Sequence, residues 1–193
     1  TRKLMVSPFS ARSGFEQLVE GEIRQARQGH KAYIILKMNS LQDKKMIKRL
    51  YQASEAGVKI CLLVRGICCL IPRVEGQSEN IEIISIVDRF LEHPRVYIFG
   101  NGGDEKLYIG SADWMTRNLD HRIEVITPIL DAKIHRKIRK TIDLQINDRV
   151  KARIIDAEQR NEYVDPGGEA TESSQHQIYR YLTGGEELGT MNH

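Results

Sequence analysis

Residues 32–64, AYIILKMNSLQDKKMIKRLYQASEAGVKICLLV, decide the fold. Ala32–Met38 is a short apolar run rich in β-formers, and Val58–Val64 is a second. Between them Met46, Ile47, Leu50, Tyr51 and Ala53 share one stripe of a helix over Asp43–Ala56, which Gly57 closes. A strand, a helix and a strand joined by a crossover of about 20 residues place the two strands side by side and parallel.

Upstream, SGFEQLVEGEIRQARQ (13–28) spaces Phe15, Leu18, Val19, Ile23 and Ala26 as a helix behind a Ser13 cap, with Gly29 as its stop. Downstream, Ile81–Ile84 reads as a short strand, Val87–Glu92 as a helical turn and Arg95–Phe99 as a strand. The NGGD turn at 101–104 then joins Arg95–Phe99 to Leu107–Ile109 as a hairpin. Arg122–Ile126 is a further strand, and Ala132–Ile146 a helix with Ile134, Ile138, Ile142 and Ile146 four apart. The expected architecture is an α/β domain over residues 1–164, with a mixed, mostly parallel β-sheet flanked by α-helices. Residues 165–193 read as a polar, acidic, flexible tail in which Gln175–Leu182 has the makings of a short helix.

The net charge of +3 over 193 residues hides an asymmetry. Residues 157–193 hold seven acids and two bases, whereas residues 1–156 hold 27 bases and 19 acids. Such a basic body favours polyanions: nucleic acid, phosphorylated metabolites or an anionic membrane surface. No apolar run approaches the roughly 18 residues of a membrane helix, and the N-terminus lacks the pattern of a secretory signal. Cys61, Cys68 and Cys69 offer neither a disulfide framework nor a CxxC metal site. A soluble, cytosolic protein is expected, and a start at Thr1 suggests a processed product or a piece of a longer chain.

The candidate chemistry is directed at phosphate. Arg65 follows the second strand at the end where open α/β sheets place ligands, and its guanidinium can grip a phosphate with two prongs. Lys37 and Asn39 end the first strand at the same place, where solvation of a core edge is the plainer reading. His93 and Arg95 flank Pro94 at a strand entrance, where residues two apart face one side and could meet one anion; Ser111 and Asp113 approach from the next strand end. The plain alternative is a surface histidine beside an ordinary Gly-Ser-Ala-Asp turn. Arg117, His121 and Arg122 form a second cationic group, and Trp114 reads as core. His135 and Lys137 match H-x-K, but two residues apart in a helix they point about 200° apart and cannot converge. The chain has no GxxxxGK[ST], GxGxxG, HExxH or GxSxG motif.

Three strings, LLVRGICCLIP (62–72), ISIVDRFLEHPRVYIFGNGGD (84–104) and YIGSADWMTRNLDHRIEV (108–125), resemble the last domain of the long-chain, first-type bacterial polyphosphate kinases. The resemblance runs from about Leu4 to Val164 and implies a phospholipase D-like fold. It implies reversible transfer of the terminal phosphate of ATP to inorganic polyphosphate through a phosphohistidine carried by the preceding domain. This domain would supply the opposite wall of the active-site tunnel. Arg65 matches the arginine that binds ATP phosphates, His93 the second essential histidine and Arg122 another tunnel arginine. Mg2+ would come with ATP, with no ligand assigned in this chain. The implied partners are ATP or ADP, polyphosphate and the preceding domains, in a homo-oligomer that binds no nucleic acid. It would be cytoplasmic, with peripheral membrane association left open.

Against the phospholipase D pattern HxKx4D followed by GSxN, Arg95 replaces the lysine, Gly100 stands where the aspartate would, and Asp113 replaces the asparagine. As a phosphodiesterase the half-site is degenerate. Two alternatives remain beside the kinase reading: a polyphosphate-binding module without turnover, and a phosphodiesterase dimer using two copies of His93.

Overall fold

The structure, a computed structural model, describes residues 4–164 and 171–184. In chain order the elements are β1 (Met5–Ser7), α1 (Ala11–Arg27), β2 (Tyr33–Met38), α2 (Lys44–Glu55), β3 (Lys59–Val64), β4 (Ile81–Ile86), β5 (Arg95–Phe99), β6 (Lys106–Gly110), β7 (Glu124–Pro128), α3 (Ala132–Ile146), β8 (Ala152–Ile154) and α4 (Ser174–Thr183). The decisive 32–64 segment folds as its periodicity dictates. β2 and β3 pair in parallel from Tyr33 opposite Lys59 to Met38 opposite Val64. Asp43 starts α2 by accepting the Met46 amide at 3.0 Å.

The strands form one sheet in the order β1-β7-β6-β5-β2-β3-β4-β8. Among the described residues the β2–β3 and β3–β4 ladders are parallel and the other five antiparallel. The sheet is mixed, but the expected predominance of parallel strands is corrected. The cause lies in Val87–Pro94, which lacks the expected helical turn and runs without regular secondary structure to the other side of β2. Strand β5 therefore enters antiparallel to β2, and hairpin reversals carry the sheet onward.

Both faces of the central strands are covered, which explains their unbroken apolar runs. Helices α1 and α2 lie over one face, where Phe15, Val19, Met46 and Leu50 meet Ile34, Leu36, Leu62, Tyr97 and Trp114. On the other face Ile142 of α3 joins Ile35, Leu63, Val96, Ile98 and Leu107. Trp114 is fully buried 5.2 Å from the Phe15 ring, a core residue as read from the sequence.

Three further expectations change. Helix α1 begins at Ala11, with Ser10 rather than Ser13 at its cap. Strand β7 covers Glu124–Pro128 rather than Arg122–Ile126. Within the supposed flexible tail, Ser174–Thr183 is a helix, as Gln175–Leu182 suggested, and Ser173, Ser174 and Gln175 are buried. Its Ser174 amide donates to Asp148 at 2.7 Å, a tie from beyond residue 164 that no local pattern announces. Residues 165–170 and 185–193 of that tail lie outside the described residues. Among the described residues no helix is long and apolar enough to cross a membrane. Cys61, Cys68 and Cys69 are free thiols, and burial pushes Cys61 up to about 12, away from nucleophilic use.

Candidate functional site

One end of the sheet gathers the carboxyl ends of β2, β3, β4 and β6 and the amino ends of β5 and β7. A chain of hydrogen bonds runs across it. Arg65 Nε donates to Asn39 Oδ1 at 2.7 Å. Asn39 in turn donates to Asp113 Oδ1 from its backbone amide at 2.8 Å and from Nδ2 at 3.3 Å. Arg95 grips the same carboxylate side-on, Nε to Oδ1 at 3.1 Å and Nη2 to Oδ2 at 3.3 Å. Its remaining prong, Nη1, reaches His93 Nδ1 at 2.9 Å and the His93 carbonyl at 3.1 Å.

The last contact sets the chemistry of His93. A guanidinium only donates, so Nδ1 is the acceptor and the proton of the neutral ring sits on Nε2. His93 is exposed, which leaves that N–H able to donate to an incoming oxygen. Arg95 is thereby an orienting group, neutralised by Asp113, rather than a second cation aimed at the same anion as His93. Ser111 is likewise used locally, its Oγ accepting the Val125 amide at 3.2 Å. Gly66 lets the chain turn tightly after Arg65: a Cβ there would fall 2.8 Å from the Asn39 carbonyl oxygen.

Arg122 lies just after a wide π-type turn, Arg117–His121, at the same end of the sheet. It is exposed, and among the described residues its side chain has no hydrogen bond or ion pair, so its guanidinium is free for a ligand. Arg117 and His121 are also exposed. The turn is held by Arg12 of α1, which bridges Asp120 at 2.7 Å and Asp43 at 2.8 Å, while Thr116 donates to Asp43 at 2.8 Å. Burial pushes the Asp43 carboxyl up, but hydrogen bonds from Arg12, the Met46 amide and Thr116 together bring it down to about 2. The bond from Arg12 also lowers Asp120.

Asn39 and Lys37, expected to be solvated at a core edge, are instead enclosed and bonded. Both are buried at 8% exposure, Asn39 as the link between Arg65 and Asp113, and Lys37 as the partner of Glu92 at 2.7 Å. A polar residue just past a strand that covers both faces was the available signal for Asn39. His135 and Lys137 stand mid-helix, with His135 Nε2 3.5 Å from Glu105, consistent with their rejection as a catalytic pair.

No metal set fits. The nearby carboxylates Asp113 and Glu92 are already held by Arg95, Asn39, Lys37 and glutamine donors. Among the described residues no group of three His, Cys, Asp or Glu could hold an ion. The cleft between Arg65, Lys37 and Glu92 holds only about 10 Å³. That is far from the several hundred Å³ of a closed nucleotide pocket.

Residues 4–175 match the sequence profile described as polyphosphate kinase C-terminal domain 2. The chain is 53% identical over 181 residues to a polyphosphate kinase of Vibrio vulnificus, and 53% identical over 179 residues to one of Escherichia coli K12. It spans about a quarter of these relatives, 26% of the length of each. The crystal structure of polyphosphate kinase from Porphyromonas gingivalis superposes with a TM-score of 0.91 at 46% identity, covering 94% of this chain and 28% of that one. Nuc, a phospholipase D family member from Salmonella typhimurium, aligns over 80% of this chain and 97% of its own with a TM-score of 0.54. At 16% identity the likeness to Nuc shows the fold alone, and it bears out the expected phospholipase D-like architecture.

Proposed function

The chain belongs to the polyphosphate kinase C-terminal domain family, and from that membership we propose that it forms the phosphate-binding wall of a kinase moving the terminal phosphate of ATP reversibly onto inorganic polyphosphate. The observation that carries this reading is the unbroken hydrogen-bonded chain from Arg65 to His93 at one end of the sheet. In this reading the phosphohistidine sits on the preceding domain of the longer polypeptide, which closes this wall into a tunnel. Arg65, steadied by Asn39, holds nucleotide phosphate charge. His93 donates a hydrogen bond from its Nε2–H to a phosphate oxygen of the leaving nucleotide, and Arg122 adds positive charge from the β7 side. Catalysis of this class rests on position and charge neutralisation, which suits a wall of oriented donors.

Mg2+ enters as part of the ATP substrate, since the ion commonly binds through substrate phosphates rather than an all-protein cage. The partners in this reading are ATP or ADP, polyphosphate, the preceding domains and further copies of the enzyme. The place of action is the cytoplasm, where ATP is available. The working unit is the body 1–164 with α4 docked upon it.

In the full-length enzyme, His93→Ala and Arg65→Ala are each expected to lower polyphosphate synthesis about a hundredfold or more while leaving the melting temperature nearly unchanged. Near-wild-type rates would overturn the reading. The exposure of His93 and Arg122 also suits a second reading, in which the isolated chain is a phosphate- or polyphosphate-binding module without turnover; it predicts binding but no synthesis by this chain alone. Bis(p-nitrophenyl) phosphate is expected to stay intact, because Arg95 is engaged with Asp113 and His93 and supplies no free cation beside the ring.

A further inference from the structure

We infer that Gln175, on α4, is a positioning residue for His93; the inference rests on the reading that His93 contacts nucleotide phosphate. His93 ends the irregular segment between β4 and β5, and that segment buries little of its own. Val87, Phe90 and Leu91 are 71%, 50% and 77% exposed, so apolar packing does little to hold it. Polar ties hold it instead, and the most distant in sequence come from α4.

The Gln175 carboxamide pairs with both backbone groups of Phe90: Oε1 accepts the Phe90 amide at 2.9 Å, and Nε2 donates to the Phe90 carbonyl at 2.8 Å. The same Nε2 donates to Glu92 Oε1 at 2.9 Å. The other oxygen of Glu92 accepts Lys37 Nζ at 2.7 Å and also Gln145 Nε2. Glu92 immediately precedes His93, so the peptide entering the histidine is clamped from α4, α3 and β2, while Arg95 holds the ring from the following side. The clamp is itself anchored. Gln175 is 8% exposed, and the Ser174 amide donates to Asp148 Oδ2 at 2.7 Å, whose Oδ1 accepts the Val150 and Lys151 amides at 2.8 and 2.7 Å.

Such an arrangement makes the helix after residue 170 part of the site's geometry without touching substrate. A shift of about 1 Å in a donor is enough to cost up to a hundredfold in rate. Removing the donor of Gln175 should loosen residues 87–93 and misplace His93 Nε2, and the damage should fall on kcat more than on the KM for ATP.

The test uses the full-length enzyme that carries this chain. Gln175→Glu keeps the shape and the acceptor but replaces the donor with an oxygen facing Glu92 and the Phe90 carbonyl. Gln177→Ala, on the same helix and with its side-chain Nε2 donating to the Glu172 carbonyl at 2.9 Å, is the control. Expected for Gln175→Glu is a fall in kcat of about tenfold with the KM for ATP changed less than about threefold, and exchange of the 87–93 amides about tenfold faster by hydrogen-exchange mass spectrometry. The control should change neither. In a His93→Ala background the same change should alter the residual rate less than about twofold, because its target is gone. Unchanged exchange over 87–93, or an equal loss of rate in both backgrounds, would overturn the inference. If His93→Ala leaves the rate intact, the phosphate-wall reading itself falls, and the positioning role of Gln175 with it. If His93→Ala collapses the rate and Gln175→Glu does not alter it, only the positioning role is lost.

Discussion

Asp113 takes four hydrogen bonds on two oxygens, from the Asn39 amide and Nδ2 and from Arg95 Nε and Nη2, and its side chain is 8% exposed. An asparagine keeps the shape but has a single acceptor oxygen, so one partner must face an N–H group. The Arg95 guanidinium, with its side chain 12% exposed, would lose its counter-charge. Asp113→Asn is expected to cost about 2 kcal/mol, seen as a lower urea midpoint at unchanged slope. The same change frees Arg95 to turn from His93, so kcat should fall with it. An unaltered midpoint would mean that Asp113 does not hold the two arms of the site together.

At the start of α2, Asp43 caps the helix and joins Arg12 and Thr116, so α1, α2 and the turn before Arg122 share one carboxylate. Its folded pKa, about 2, lies below its ordinary 3.8. The stability this depression contributes is therefore fully present above pH 3.8 and disappears as pH falls through about 2. Arg12→Ala removes the strongest of the groups that hold the carboxyl down and leaves burial, which raises it. The acid limb of unfolding, followed by circular dichroism against pH, is expected to move to higher pH in Arg12→Ala. A coincident acid limb in the two proteins would show that the bridge adds nothing to the ionised state.

For the molecule as a whole, charge and shape act together: a basic body carries a candidate site whose cleft beside Arg65 holds only about 10 Å³. Calorimetric titration of the chain with a defined short polyphosphate is expected to show binding that weakens several-fold as the Debye length shrinks from about 10 Å at 0.1 M salt toward 3 Å at 1 M. Arg65→Ala should weaken it further at both salts. Absence of binding by the folded wild-type chain would count against a polyphosphate site formed by this chain alone.

The strands, helices and turn of 32–64 and of 95–110 were legible because each follows from a repeat of two or of 3.6 residues within a window of a dozen. Arg65 and His93 were singled out by their places at strand ends and given roles by three motif strings, and the basic body was read from a count. Strand neighbours were not legible: nothing local says that a loop without a helix follows β4, and this alone makes β5 antiparallel to β2. The site's internal wiring was hidden for the same reason. Asn39 and Asp113 are 74 residues apart, and Gln175 and Phe90 85 apart. Asp113 therefore read as a residue approaching from the next strand end, or as part of a turn, and α4 as part of a tail. Periodicity is a property of neighbouring side chains and survives in any window of sequence. Which buried donor meets which acceptor is settled only when distant segments are packed together and every polar group taken out of water must find a partner.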